Sequence, residues 1–173
     1  GDSGVTEEWA GRLTIDPRPG IAHWETFEIL DPDAARGLGL DGPAILAARP
    51  WVDGRSLSRS RATDRWATTS LAVARCLLEL HDQGQHHGAL KPANVIMEGA
   101  RQATLTDLPL VPASEDDPTR LAASAPYLAP ECWSGEPGDA RADVYALGIM
   151  LAELASGRRP LMANGLSGWA KAH

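Results

Sequence analysis

The stretch DARADVYALGIMLAELASG, residues 139–157, constrains the fold of this chain more than any other. Val144, Leu147, Leu151 and Leu154 recur at three- and four-residue steps, so the spacing predicts one long helix with an apolar face and Gly157 as its C-cap. The apolar run from Val144 to Ala155 is the longest in the chain. Glu153 interrupts it, and it falls well short of the ~20 residues that a membrane crossing needs. The helix is therefore expected inside a protein core, and 173 residues suit a single domain around it.

Charge narrows the partners. A formal net charge of −7 with scattered cations argues against a nucleic-acid face and against an anionic-membrane face. Only two of the cations are lysines, Lys91 and Lys171. Cys76 and Cys132 show no metal-ligand spacing, which predicts free thiols in a reducing compartment and no metal site. No signal-peptide pattern opens the chain.

Ahead of the long helix, residues 1–4 read as a frayed end, and VTEEWAGRL, with Trp9 and Leu13 on one face, as a short helix. IAHWETFEIL and PAILAARPWV read as two strands of a hairpin joined by the polar turn region DPDAARGLGLDG. GLGLDG within it satisfies GxGxxG letter for letter, but a strand follows where a phosphate-binding helix is required, so it reads as a turn. DGRSLSRSRATD is expected to be a loop. Residues 65–83 read as a helix with Trp66, Leu71, Ala74, Leu77, Leu78 and His81 on its inner side, ended by Gly84. ANVIM and ATLTDLPLV suggest a second, smaller hairpin. Residues 112–124 form a Pro/Ser/Asp-rich loop with acids at Glu115, Asp116 and Asp117.

Four motifs follow one another: LHDQGQHHGALKPANVIM, LTDLPLV, YLAPE and ADVYALGIMLAELASGRRPL. In order and spacing they resemble the catalytic loop, the Asp-Phe-Gly segment, the Ala-Pro-Glu segment and the buried helix of the eukaryotic-type Ser/Thr protein kinases. Upstream, RPGIAHWETF and AILAARPWVDGRSL resemble the strands and hinge of the same family. The resemblance implies an α+β fold with a mainly helical C-lobe and a reduced N-lobe hairpin. It treats 1–173 as one domain, with residues 1–54 as reduced N-lobe and hinge and 55–173 as a partial C-lobe ending near the helix after the Ala-Pro-Glu segment.

The same resemblance assigns roles. Ala89 stands where the family carries its proton-accepting aspartate; Lys91 corresponds to the phosphate-contacting lysine, and Asn94 and Asp107 to the magnesium ligands. His87 and Asp143 take scaffold roles, Leu108 keeps an apolar plug, and Pro109 fixes the loop that glycine leaves mobile. Glu131 is the usual partner of an arginine beyond the region matched. Gly88 replaces the arginine that pairs with a phosphorylated loop, while Thr119, Ser114 and Ser124 remain reachable hydroxyls, Thr119 being the candidate phosphoacceptor. Trp24 and Trp51, two of six tryptophans, are candidate interface residues, and Trp169 falls in a tail expected to be disordered.

No glycine loop or lysine strand is found before RPGI. With Ala89, this leads to the expectation of a pseudokinase, a chain that is not an enzyme and has no cofactor, acting as a regulatory or scaffolding protein-binding module. It is expected to be cytoplasmic, itself not membrane-inserted, within a longer envelope-linked bacterial polypeptide, with a protein partner; the oligomeric state is left open, a dimer through the reduced lobe being one arrangement. The alternatives are a Mg-nucleotide-binding protein with weak or altered phosphotransferase activity, using Asp107, Asn94 and Lys91, and an inert fragment of a longer kinase-like chain.

Overall fold

A computed structural model describes residues 18–39, 44–59, 65–99, 101–108, 118–136 and 138–173. The helix expected around Val5–Leu13, Pro109, Ser114 and the acidic cluster lie outside them, as do the side chains of Thr119 and its helical neighbours.

β1 (Thr26–Leu30) and β2 (Ala44–Ala48) pair antiparallel, with Thr26 opposite Ala48 and Leu30 opposite Ala44. The connection contains a helix, α1 (Pro32–Gly37), where the sequence suggested only a turn. The reason is local: Asp31 accepts from the backbone N–H groups of Asp33 and Ala34, and Pro32 is pre-set for the first turn.

A second sheet has the order β3-β4-β5, from β3 (Arg55–Ser56), β4 (Val95–Glu98) and β5 (Gln102–Leu105). β4 and β5 form the small hairpin expected from ANVIM and ATLTDLPLV. β3 lies in the stretch expected to be a loop and continues into a 3-10 turn, Leu57–Arg59. Gly54, just before β3, has φ +137 and an added Cβ would lie 2.6 Å from the Met97 carbonyl oxygen, so the sheet closes against bare backbone there. The run-in to β1 is stitched to this sheet, since Ala22 N–H donates to Leu105 O (2.8 Å) and Leu105 N–H to Gly20 O (2.8 Å).

α2 (Trp66–His81) and α5 (Ala140–Ser156) pack on one another, and α2 also covers β5. The core joins Val73, Leu77 and Leu80 of α2, Val95 and Leu105 of the sheet, and Met150 and Leu154 of α5. Gly157 caps α5 in the left-handed conformation, as its position suggested.

The buried faces are rotated from the expected ones. On α5, Ala142, Asp143, Ala146, Met150 and Leu154 point inward while Val144 is 60% exposed. On α2, Thr69, Ser70, Ala72, Val73, Cys76, Leu77 and Leu80 point inward, and Trp66, Leu71 and Leu78 face out. Small residues let helices and sheet approach closely, and close approach, rather than side-chain size, decides which face is buried. Cys76 shows the same economy of space: its thiol donates to Ala103 O (3.1 Å), burial pushes its pKa up to about 11, and it fills the room that a side chain on Gly20 would take.

Between β5 and α5 in sequence come α3 (Pro118–Ser124), in the segment read as a loop, and α4 (Pro130–Trp133). α6 (Gly165–Ala172) replaces the expected disordered tail. Trp169 is buried on it, and His173 sits among Trp133, Tyr145 and Trp169, accepting from Tyr145 Oη at Nδ1 (2.7 Å) and donating from Nε2 to Ala125 O (2.9 Å). Among the described residues no helix is long and apolar enough to cross a membrane.

Candidate active site

The loop between α2 and β4 is organised from beneath by one carboxylate. Asp143, in the first turn of α5, is 1% exposed, and a buried charge is tolerated only when its lone pairs are met. His87 N–H donates to Oδ2 (2.7 Å), Gly88 N–H to Oδ1 (2.8 Å), and His81 Nε2 to Oδ2 (2.9 Å). Gly88 makes its bond at φ +73, a conformation for which glycine carries no steric penalty.

His87 is fully buried, and its neighbours fix the tautomer. A carbonyl only accepts, so Nε2 carries the hydrogen bonded to Thr106 O (3.1 Å), leaving Nδ1 to accept from Ala89 N–H (3.3 Å). Burial lowers the pKa of this imidazole, against the pull of Asp143. Below about pH 6.5 the unfolded chain then binds the proton more readily than the folded one, so stability is full above that pH and falls as the medium is acidified toward the folded-state value. The urea midpoint is expected to drop between pH 7.5 and pH 5.5, and His87→Gln to flatten the drop without removing it, because burial lowers His173 in the same direction. Equal midpoints at both pH values in the parent chain contradict this.

Asn94 and Asp107 are linked through Thr106. Asn94, buried at the end of the 3-10 turn Pro92–Asn94, donates from Nδ2 to Ala89 O (3.0 Å), and its own carbonyl accepts from Thr106 N–H (2.9 Å). Asp107 follows β5 with φ 57, the one described non-glycine residue at positive φ. Such strain gathers at functional sites, and aspartate tolerates it better than most residues. Its Oδ2 accepts from Thr106 Oγ1 (3.1 Å) and its Oδ1 from Arg49 (3.1 Å), with the carboxylate half exposed. Lys91 is half-buried in the loop between Ala89 and Asn94, and Leu108 is buried.

Among the described residues no three of His, Cys, Asp and Glu cluster as a ready-made metal cage. Asp107 and the Asn94 side-chain oxygen are hard donors of the kind magnesium takes, in sites where one or two protein ligands are completed by phosphates and water. The donor set fits that ion.

A family model of the protein kinase domain matches residues 54–171. The chain belongs to the protein kinase family. It is 32% identical over 152 residues to a probable serine/threonine-protein kinase of Corynebacterium efficiens, a match covering 81% of this chain and 23% of that protein. Against the probable serine/threonine-protein kinase PknB of Corynebacterium glutamicum it is 29% identical, again covering 81% and 23%. Against the serine/threonine-protein kinase PknJ of Mycobacterium tuberculosis it is 28% identical, covering 89% and 33%. The chain thus spans between 23% and 33% of the length of these relatives, and the α+β kinase fold expected from its motifs holds.

The expectation of a chain that is not an enzyme is corrected by these matches. Its relatives are named as serine/threonine-protein kinases, which points to an enzyme. The contrary reading leaned on a lysine and a glycine loop missing from these residues, and a chain covering so small a part of its relatives gives that absence no weight. The backbone of Ala89 is held on both sides, by His87 and by Asn94.

The structure separates the two tryptophans taken as interface candidates. Trp51 is 87% exposed, its indole N–H on Asp53 (3.0 Å). Trp24, two residues before β1, is half-buried and donates to Leu108 O (2.9 Å), so it braces the segment that follows β5, a use that its expected place on a strand did not signal. Glu131 is half-buried on α4, with no cation at ion-pair distance among the described residues. The YLAPE segment is tied to α5 instead by Tyr127, whose Oη donates to Glu153 (2.6 Å); burial, then this bond, push its pKa up. Sequence reading missed Arg49, Thr106 and the polar role of His81.

Proposed function

We propose that this chain carries the magnesium- and phosphate-handling part of a Ser/Thr-directed phosphotransferase whose hydroxyl-activating position is altered. The observation that carries the reading is Asp107: a half-exposed carboxylate, held at positive φ, braced by Thr106 and lying beside the loop of Asn94 and Lys91. Phosphoryl transfer leaves little covalent work to the protein, and most of the acceleration comes from positioning and charge neutralisation. Magnesium, when bound, neutralises charge on the β- and γ-phosphates. Asp107 and Asn94 are the residues to hold it, and Lys91 is the cation on the same loop. At position 89 no side chain accepts the hydroxyl proton, so that proton leaves to water or to a phosphate oxygen, and transfer is slow.

Calorimetry of Mg-ATP on the 173-residue chain, with transfer of the γ-phosphate to a Ser/Thr peptide followed in parallel, tests this. Measurable binding and slow transfer are expected, with Asp107→Ala weakening binding about tenfold to a hundredfold, the range of a charge-assisted contact. Binding unchanged in Asp107→Ala, or none in the parent chain, overturns the reading.

A further inference from the structure

Arg49 directly follows β2 and reaches across to the site, where its NH2 group lies 3.1 Å from Asp107 Oδ1. Its side chain is only 23% exposed. A second N–H contacts Pro50 O at 3.4 Å, which leaves three of its five donors without a partner among the described residues. The placement is built in. Glu25 N–H donates to Ala48 O (2.9 Å), so Trp24 and Arg49 are held side by side, and both reach the 107–108 segment, Trp24 on the Leu108 carbonyl and Arg49 on the Asp107 carboxylate.

A mostly buried guanidinium needs an anion. In the resting arrangement Asp107 is that anion. Once the Asp107 carboxylate is committed to a metal, Arg49 is left a buried cation facing added positive charge, and only a further anion restores the balance. The anion that arrives with magnesium at such a site is a polyphosphate, and a planar guanidinium with open donors matches phosphate oxygens in pairs. We infer that Arg49 is a nucleotide-phosphate ligand, parked on Asp107 until the polyphosphate binds. It is then a cation that this chain offers from its hairpin side. The inference rests on the nucleotide reading of the site but concerns a different residue and contact.

The test measures magnesium tripolyphosphate and Mg-ATP binding by calorimetry to the 173-residue chain, to Arg49→Met and to Arg49→Lys, with a thermal melt to confirm that each variant is folded. Arg49→Met is expected to weaken both ligands about tenfold to a hundredfold, and Arg49→Lys, which keeps the charge and loses the fork, to recover part of the loss. Equal affinity in Arg49→Met overturns the inference, and so does a parent chain that binds neither ligand. Tighter binding also overturns it, marking Arg49 as a competitor for the site. A parent chain that binds tripolyphosphate through Arg49 yet transfers no phosphate sinks the phosphotransferase reading and leaves Arg49 standing. Transfer that persists with binding indifferent to Arg49 does the reverse.

Discussion

Ala89→Asp is expected to raise the rate of γ-phosphate transfer to a Ser/Thr peptide by about 10²–10⁴-fold, the usual contribution of a positioned general base. Position 89 is ready for a side chain that must point one way. Its N–H is bonded to His87 Nδ1 and its carbonyl to Asn94 Nδ2, while buried Leu90 anchors the next residue. The new carboxylate therefore projects from backbone already fixed at both ends, and little ordering entropy is lost in placing it. Single-turnover transfer from Mg-ATP is the measurement, with Ala89→Asn as control, since an amide of the same shape accepts no proton at neutral pH. A gain confined to the aspartate supports a kinase site lacking only its base. A rate unchanged in Ala89→Asp means that the rest of the site does not hold nucleotide and hydroxyl in line, and the proposed activity falls with it.

Much of this was legible from residue types and spacing. Gly157 and the apolar run before it fixed the end and the length of the long helix, and four motifs in order gave the fold, because those segments combine local signals with turns that only certain residues make. Which faces are buried was harder to read. In α5 apolar residues lie on nearly every side, so periodicity has no unique answer, and the choice falls to Ala142 and Ala146, whose small side chains allow close approach. The site shows the same division. Asp143, His87, Asn94 and Asp107 sit in motifs and were found there. Arg49 and Trp24 reach the site from the hairpin through contacts 58 and 84 residues apart in sequence, and no local pattern announces such a pairing.

The largest loss of stability is expected at Asp143, which joins fold and chemistry. Asp143→Ala removes the acceptor for two backbone N–H groups and for His81 Nε2 at once, and leaves those donors buried beside an apolar methyl. Breaking a buried charged network costs about 3–5 kcal/mol, a fall in Tm of roughly 10 °C or more for a chain of this size. Asp143→Asn keeps the shape and one carbonyl oxygen but turns an N–H toward a donor, so about 1–3 kcal/mol is expected. Urea midpoints rank the parent chain, the asparagine variant and the alanine variant in that order. An alanine variant within about 1 kcal/mol of the parent contradicts the assignment, because it means that water or another group satisfies those donors. The same bonds hold His87 and Gly88, and through them Ala89 and Asn94. The asparagine variant, folded but loosened, should therefore bind Mg-ATP more weakly although residue 143 lies beneath the loop and touches no nucleotide.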